Sequence, residues 1–199
     1  MLSDLDLSNR ILKGPYIEQM TDEEFFRFCQ DNRDFKFERT PQGQIIFMSP
    51  TCFLTGDRNS EIITQLRNWN KKNKGGHTVD SDTGFYLPNG AMRNPDAAWI
   101  SYERLNKLPK EELERFPHVC PDFIVELKSK SDRLQDLKTK MNEWIDNGCR
   151  LGWLIDADEE IVYIYAPGQP ENVHRGFDTP LSGEPVLHNF QLILSELRV

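Results

Sequence analysis

A chain of 199 residues with 38% hydrophobic and 28% charged residues suits a folded globule with its own core and excludes wholesale disorder. A net charge of −8 excludes a protein that coats nucleic acid through a broad cationic surface, but not an enzyme that grips phosphate locally through a divalent cation. Apolar runs of only a few residues exclude a membrane-spanning helix, and the opening MLSDLDLSNR lacks the basic patch and apolar stretch of a secretory signal, so a cytoplasmic protein without a membrane partner is expected.

In chain order, Thr21 with Glu24 three residues later forms a capping-box pattern and predicts a helix over about 21–31. Phe35, Phe37 and Arg39, then Pro41-Gln42-Gly43, then Ile45 to Met48, read as a β-hairpin closed by Pro50. Between Gly56 and Gly75 the apolar residues Ile62, Ile63, Leu66 and Trp69 recur at helical spacing, with Gly75-Gly76 as the expected stop. Strands are expected near 77–80, 84–87, 96–100 and 122–127, with a turn at Pro88-Asn89-Gly90 and a loop bearing a short polar helix over 102–118. Leu134, Leu137, Met141, Trp144 and Ile145 form the stripe of a second long helix, capped by Asp132 and ended by Gly148. A hairpin at 151–155 and 161–165 turns through Asp156 to Glu160, and short extended pieces are expected near 174–177, 185–188 and 191–194. This order gives an α/β (α+β) protein, a mixed sheet flanked by helices. The expected organisation is one domain over 1–199: helix and hairpin at 15–50, a core at 51–166 and an extended segment at 167–199.

Asn94-Pro95-Asp96 opens the apolar stretch 97–100, so Asp96 stands at a strand start. In PDFIVELKS, strand alternation puts Glu126 and Lys128 on one face and Val125 and Leu127 on the other. The flanking Phe123, Ile124, Val125 and Leu127 imply burial on both faces, where unpaired charge is costly. Phosphodiester hydrolysis gives these groups a purpose. Two carboxylates offer hard oxygen ligands to Mg²⁺ or Mn²⁺, which activates a bound water, and a lysine beside them orients that water or stabilises developing charge.

Asp96 followed by Glu126-Leu127-Lys128 resembles the PD-(D/E)xK signature of restriction-endonuclease-like proteins. The longer run PDFIVELKSKSDRLQDLKTKMNEWIDNGCRLGWLID, with SPTCFLTGDRNSEI and GFYLPNGAMRNPDAAWI, resembles the Uma-two family of endonuclease-like proteins from about Met20 to the end. The resemblance implies a restriction-endonuclease-like core, a metal held by Asp96 and Glu126, DNA as the nucleic-acid partner, and a homodimer. In that family the place of Lys128 is often another residue while a lysine matching Lys140 is usual. Lys140 lies three residues after Leu137 and four before Trp144, at the edge of the apolar stripe, with Asp136 and Glu143 on the opposite face. Either lysine can therefore be the functional one. The alternative to an enzyme is a non-catalytic binding or regulatory module on the same fold.

The remaining polar groups have ordinary readings. Asp122 is a strand-start cap, Asp82 a turn residue, and Glu61 a solvent-facing helix residue. His77, His118, His174 and His188 are surface or loop residues without ligand spacing, and Lys71, Lys72 and Lys74 make a solvated helix end. Cys29, Cys52, Cys120 and Cys149 form no C-x-x-C pair and are expected as free thiols.

Overall fold

The computed structural model describes residues 10–198. Strands β1 (Arg10–Leu12), β2 (Lys36–Arg39) and β3 (Ile45–Met48) lie in one antiparallel sheet with β5 (Phe85–Tyr86) and β6 (Met92–Arg93), ordered β1-β3-β2-β6-β5. A second sheet contains β4 (Gly76–Asp80), β7 (Ala97–Ser101), β8 (Phe123–Leu127), β9 (Leu151–Asp156), β10 (Ile161–Tyr165) and β11 (Asn172–Arg175). Its order is β11-β10-β9-β8-β7-β4, with β8 and β9 parallel and the other neighbours antiparallel. The helices are α1 (Pro15–Glu18), α2 (Asp22–Asp31), α3 (Phe53–Asn73), α4 (Tyr102–Leu105) and α5 (Leu134–Asp146).

The second sheet is covered on both faces, which is why β8 and β9 read as nearly continuous apolar runs. On one face Ile62 and Leu66 of α3 pack on Trp99, Phe123, Val125 and Trp153, joined by Phe177, Leu187, Phe190 and Leu197 from the C-terminal segment. On the other, Met141 and Trp144 of α5 pack on Ala98, Ile124 and Leu154. The first sheet has its own small core of Phe25, Phe37, Ile45, Tyr86 and Met92 against α2. Each such fully buried side chain contributes roughly 1.5–3 kcal/mol relative to exposure.

The capping box at Thr21 forms, with Glu24 accepting the Thr21 backbone N–H and Thr21 Oγ1 accepting that of Glu24. Both hairpins form in the expected places, and the expected loop over 102–118 carries α4 and a 3₁₀ turn at Lys110–Glu114. Four expectations need correction. Helix α3 starts before Gly56, and Lys74 (φ 53), rather than Gly75, adopts the left-handed conformation at its end. Asp132 does not cap α5: its carboxylate accepts the Ser129 N–H and hydroxyl, and Arg133 occupies the cap position. No strand forms over 185–188; the local pairing is Leu181–Ser182 with Gln191–Leu192. His174 lies half-buried in edge strand β11 rather than in a loop. The strand β1 and helix α1 were not foreseen, being too short to carry a periodicity.

The glycine pair after α3 serves a close approach rather than a helix stop. A Cβ on Gly76 would lie 2.0 Å from the Ile100 carbonyl oxygen of β7, whereas one on Gly75 would meet only the Trp99 ring at 3.5 Å. Gly76→Ala is expected to destabilise by about 1–3 kcal/mol in urea unfolding, and Gly75→Ala by clearly less.

Candidate active site

The site lies where α5 crosses the second sheet and the first sheet closes over it. Side-chain alternation turns Ile124 and Glu126 of β8 toward α5, while Val125 and Leu127 face α3. Glu126 is 4% exposed, and the charges that reach it come from α5, the first sheet and Asp96. Asp96 sits immediately before β7, next to β8, and its Oδ2 accepts the Leu127 backbone N–H at 2.7 Å. Asp96 and Glu126, the two expected carboxylates, are therefore neighbours, and the Asp96 charge raises the cost of ionising Glu126.

The lysine that meets Glu126 is Lys140. Its Nζ lies 2.9 and 3.0 Å from Glu126 Oε1 and Oε2, 2.8 Å from Glu38 Oε1, and 3.2 Å from the Asn94 carbonyl oxygen. These acceptors match the three donors of an ammonium. Lys128, two residues beyond Glu126, instead pairs with Asp156 Oδ2 of β9 at 3.1 Å. The helical-wheel placement of Lys140 is thus realised. Glu143, expected on the solvent side, is turned in far enough to accept from Arg93 Nε at 2.6 Å.

Three contributors were not singled out in the sequence. Glu38, 3% exposed on β2, accepts from Lys140, from Arg93 Nη1 at 3.0 Å and from the Asn94 backbone N–H at 3.1 Å. Arg93 bridges Glu38 and Glu143. The Trp144 indole N–H donates to Glu126 Oε1 at 2.9 Å, so a core residue also aims the carboxylate. A charged hairpin strand normally turns that face to water. Glu38 is buried against Arg93, Asn94 and Lys140, and the strand itself carries no sign of that.

Burial pushes the Glu126 carboxyl up to about 7, with Asp96 and Glu38 adding to it and Lys140 opposing. Burial likewise raises Asp96. Burial works against the Lys140 charge too, but Glu126 and Glu38 outweigh it and hold the ammonium well above its usual range. Glu38 ends below the usual carboxylate range because Lys140 and Arg93 outweigh its burial. A carboxyl raised in the folded state costs stability above its folded pKa, and that cost disappears as pH falls toward its unfolded value. The metal-free protein should therefore gain thermal stability between pH 8 and pH 6, and Glu126→Gln should flatten that slope when melting temperatures of the two are compared.

The donor set suits a divalent cation. Asp96 Oδ1 accepts no bond among the described residues, and Glu126 Oε2 accepts only from Lys140, so both retain lone pairs. Four carboxylates, those of Asp96, Glu126, Glu38 and Glu143, face two cations, Lys140 and Arg93, leaving negative charge uncompensated in a buried place. The Asn94 side-chain oxygen is also buried without a partner. Among the described residues no third His, Cys, Asp or Glu ligand joins a common centre. Mg²⁺ can be held by one or two carboxylates, with water and phosphate in its remaining positions.

The other candidates have structural roles. Asp122 Oδ2 accepts the Ser101 N–H and Oδ1 pairs with Arg104 and Arg150, fixing the entry to β8. Asp82 donates its backbone N–H to Asp80 within a turn. Glu61 accepts from Gln65 on α3, across the sheet from Glu126. His118 stacks on Tyr86 and meets Asp22. All four cysteines are free thiols. Among the described residues no helix is long and apolar enough to cross a membrane.

Residues 22–195 match the model of the Uma2 family, described as "Putative restriction endonuclease". The fold is similar to a crystal structure described as "a putative nuclease belonging to DUF820 from Anabaena variabilis ATCC 29413". The TM-score is 0.74 at 18% identity, over 89% of this chain and 97% of that one. No curated protein sequence matches the chain.

Proposed function

The chain belongs to the Uma2 family, and on that premise we propose that it is a metal-dependent nuclease hydrolysing phosphodiester bonds in DNA. The observation that carries this reading is the Lys140 ammonium bound to the Glu126 carboxylate beside Asp96, a carboxylate pair and a fixed cation held together between α5 and the two sheets. Asp96 and Glu126 would hold Mg²⁺ or Mn²⁺, which supplies an activated water and neutralises charge building on the phosphorus. Lys140 stays protonated in the site, so its contribution is fixed positive charge and orientation rather than proton abstraction. Glu38, itself held by Arg93, positions Lys140, and Trp144 fixes the Glu126 rotamer.

Pairing of two copies, which the resemblance implies, belongs to the same reading and is checked by light scattering. The rival, a non-catalytic module, draws on the fact that all three Lys140 donors are already taken within the protein. Incubation of supercoiled plasmid and single-stranded DNA with Mg²⁺ or Mn²⁺, beside calorimetric titration of each metal, separates the two. Metal-dependent nicking supports the nuclease; absence of both metal binding and cleavage sinks it.

A further inference from the structure

Lys36 opens β2, and alternation along that strand puts it on the face of Glu38 while Phe37 and Arg39 turn away toward α2. Glu38 is buried against Lys140, so Lys36 stands one strand repeat, about 7 Å, further out on the same face. Burial falls along that line: Glu38 is 3% exposed, and Lys36 is half-buried. Lys36 thus marks the rim of the site on the Glu38 side, one strand repeat out from the carboxylate that holds Lys140.

The pairing of cations around the site sets Lys36 apart. Lys140 is held by Glu38 and Glu126, Arg93 by Glu38 and Glu143, and Lys128 by Asp156. Lys36 forms no ion pair or side-chain hydrogen bond among the described residues. The carboxylates of Glu38, Glu126 and Glu143 behind this rim outnumber Lys140 and Arg93, a setting that would repel a polyanion unless a mobile cation met it.

We propose that Lys36 is a substrate-binding residue that takes a backbone phosphate of the nucleic acid at the mouth of the site. This rests on the nuclease reading above and deepens it. An ammonium on a flexible stem serves as a point-charge phosphate contact without sequence preference. It acts on binding rather than on the bond-breaking step, because the fixed charge at the carboxylates is supplied by Lys140.

The test uses the full-length protein, wild type, Lys36→Ala and Lys36→Arg, with a fluorescent DNA oligonucleotide. Anisotropy titrations across a salt series in Ca²⁺ read binding, and initial rates in Mg²⁺ read kcat and KM. For Lys36→Ala the expected results are weaker binding on every sequence, KM raised about tenfold with kcat retained, and a salt slope smaller by about one. Lys36→Arg restores the slope. Metal affinity measured without DNA is unchanged, since Lys36 is not placed among the metal-holding carboxylates. A wild-type protein that binds and cleaves DNA, paired with a Lys36→Ala variant of unaltered salt slope, overturns the Lys36 assignment alone. A wild type that neither binds nor cleaves DNA overturns the nuclease reading and this inference with it.

Discussion

Asp96→Asn and Glu126→Gln are each expected to lower metal-dependent cleavage on the order of a thousandfold, corresponding to several kcal/mol of charge stabilisation at the reacting phosphate. Each also weakens calorimetric Mg²⁺ or Mn²⁺ binding. The fold should survive. Gln at position 126 still accepts the Trp144 indole N–H, and Lys140 keeps Glu38 as a partner. At pH 8 the Glu126→Gln protein should melt no lower than wild type, because a carboxylate strained by burial has been replaced by a neutral group. Lost activity with intact or raised stability separates a functional carboxylate from a structural one. Cleavage that persists in both variants would instead identify a contaminating nuclease.

The second large effect concerns the two lysines. Lys140→Met removes the ammonium shared by Glu126 and Glu38 and leaves two buried carboxylates without it, so a stability loss of about 3–5 kcal/mol is expected. The same variant should cut kcat on the order of a hundredfold, measured well below its melting temperature. Lys128→Met strips the partner from Asp156, a residue 5% exposed, and so also destabilises, by about 1–3 kcal/mol. Its kcat is expected within about fivefold of wild type, since its amine is engaged one strand away from the carboxylates. The reverse pattern, a silent Lys140→Met and an inactive Lys128→Met, would return the role to Lys128.

These expectations show which parts of the molecule local sequence reveals. The long helices and the hairpin at 151–165 were readable because burial of one helix face or of whole strands imposes a strong periodicity. Asp96 and Glu126 were readable for a related reason: charged residues set in strands as apolar as Ala97–Ser101 and Phe123–Leu127 demand an explanation. The choice between Lys128 and Lys140 was not readable from the strand, since alternation puts Lys128 on the correct face but says nothing about Asp156 on the neighbouring strand. Only the helical wheel hinted that Lys140 leans inward. Glu38 and Arg93 were hidden because their burial depends on contact between elements about fifty residues apart in sequence. The capping role assigned to Asp132 failed because the serines of the same loop compete for its carboxylate.

Lys140 takes one carboxylate from each sheet, Glu38 from the first and Glu126 from the second. The ammonium is therefore a fastener as well as a reagent. Phe85 of the first sheet also packs with Ala98, Ile124 and Met141, so the joint has an apolar part, and its polar part is made of the same side chains that would do the chemistry. A change that improves the joint by neutralising its surplus negative charge removes the cation site, and one that opens the site for substrate loosens the joint. Selection on such a protein cannot tune cohesion and turnover independently, and its natural variation should be freer in either core than along the seam.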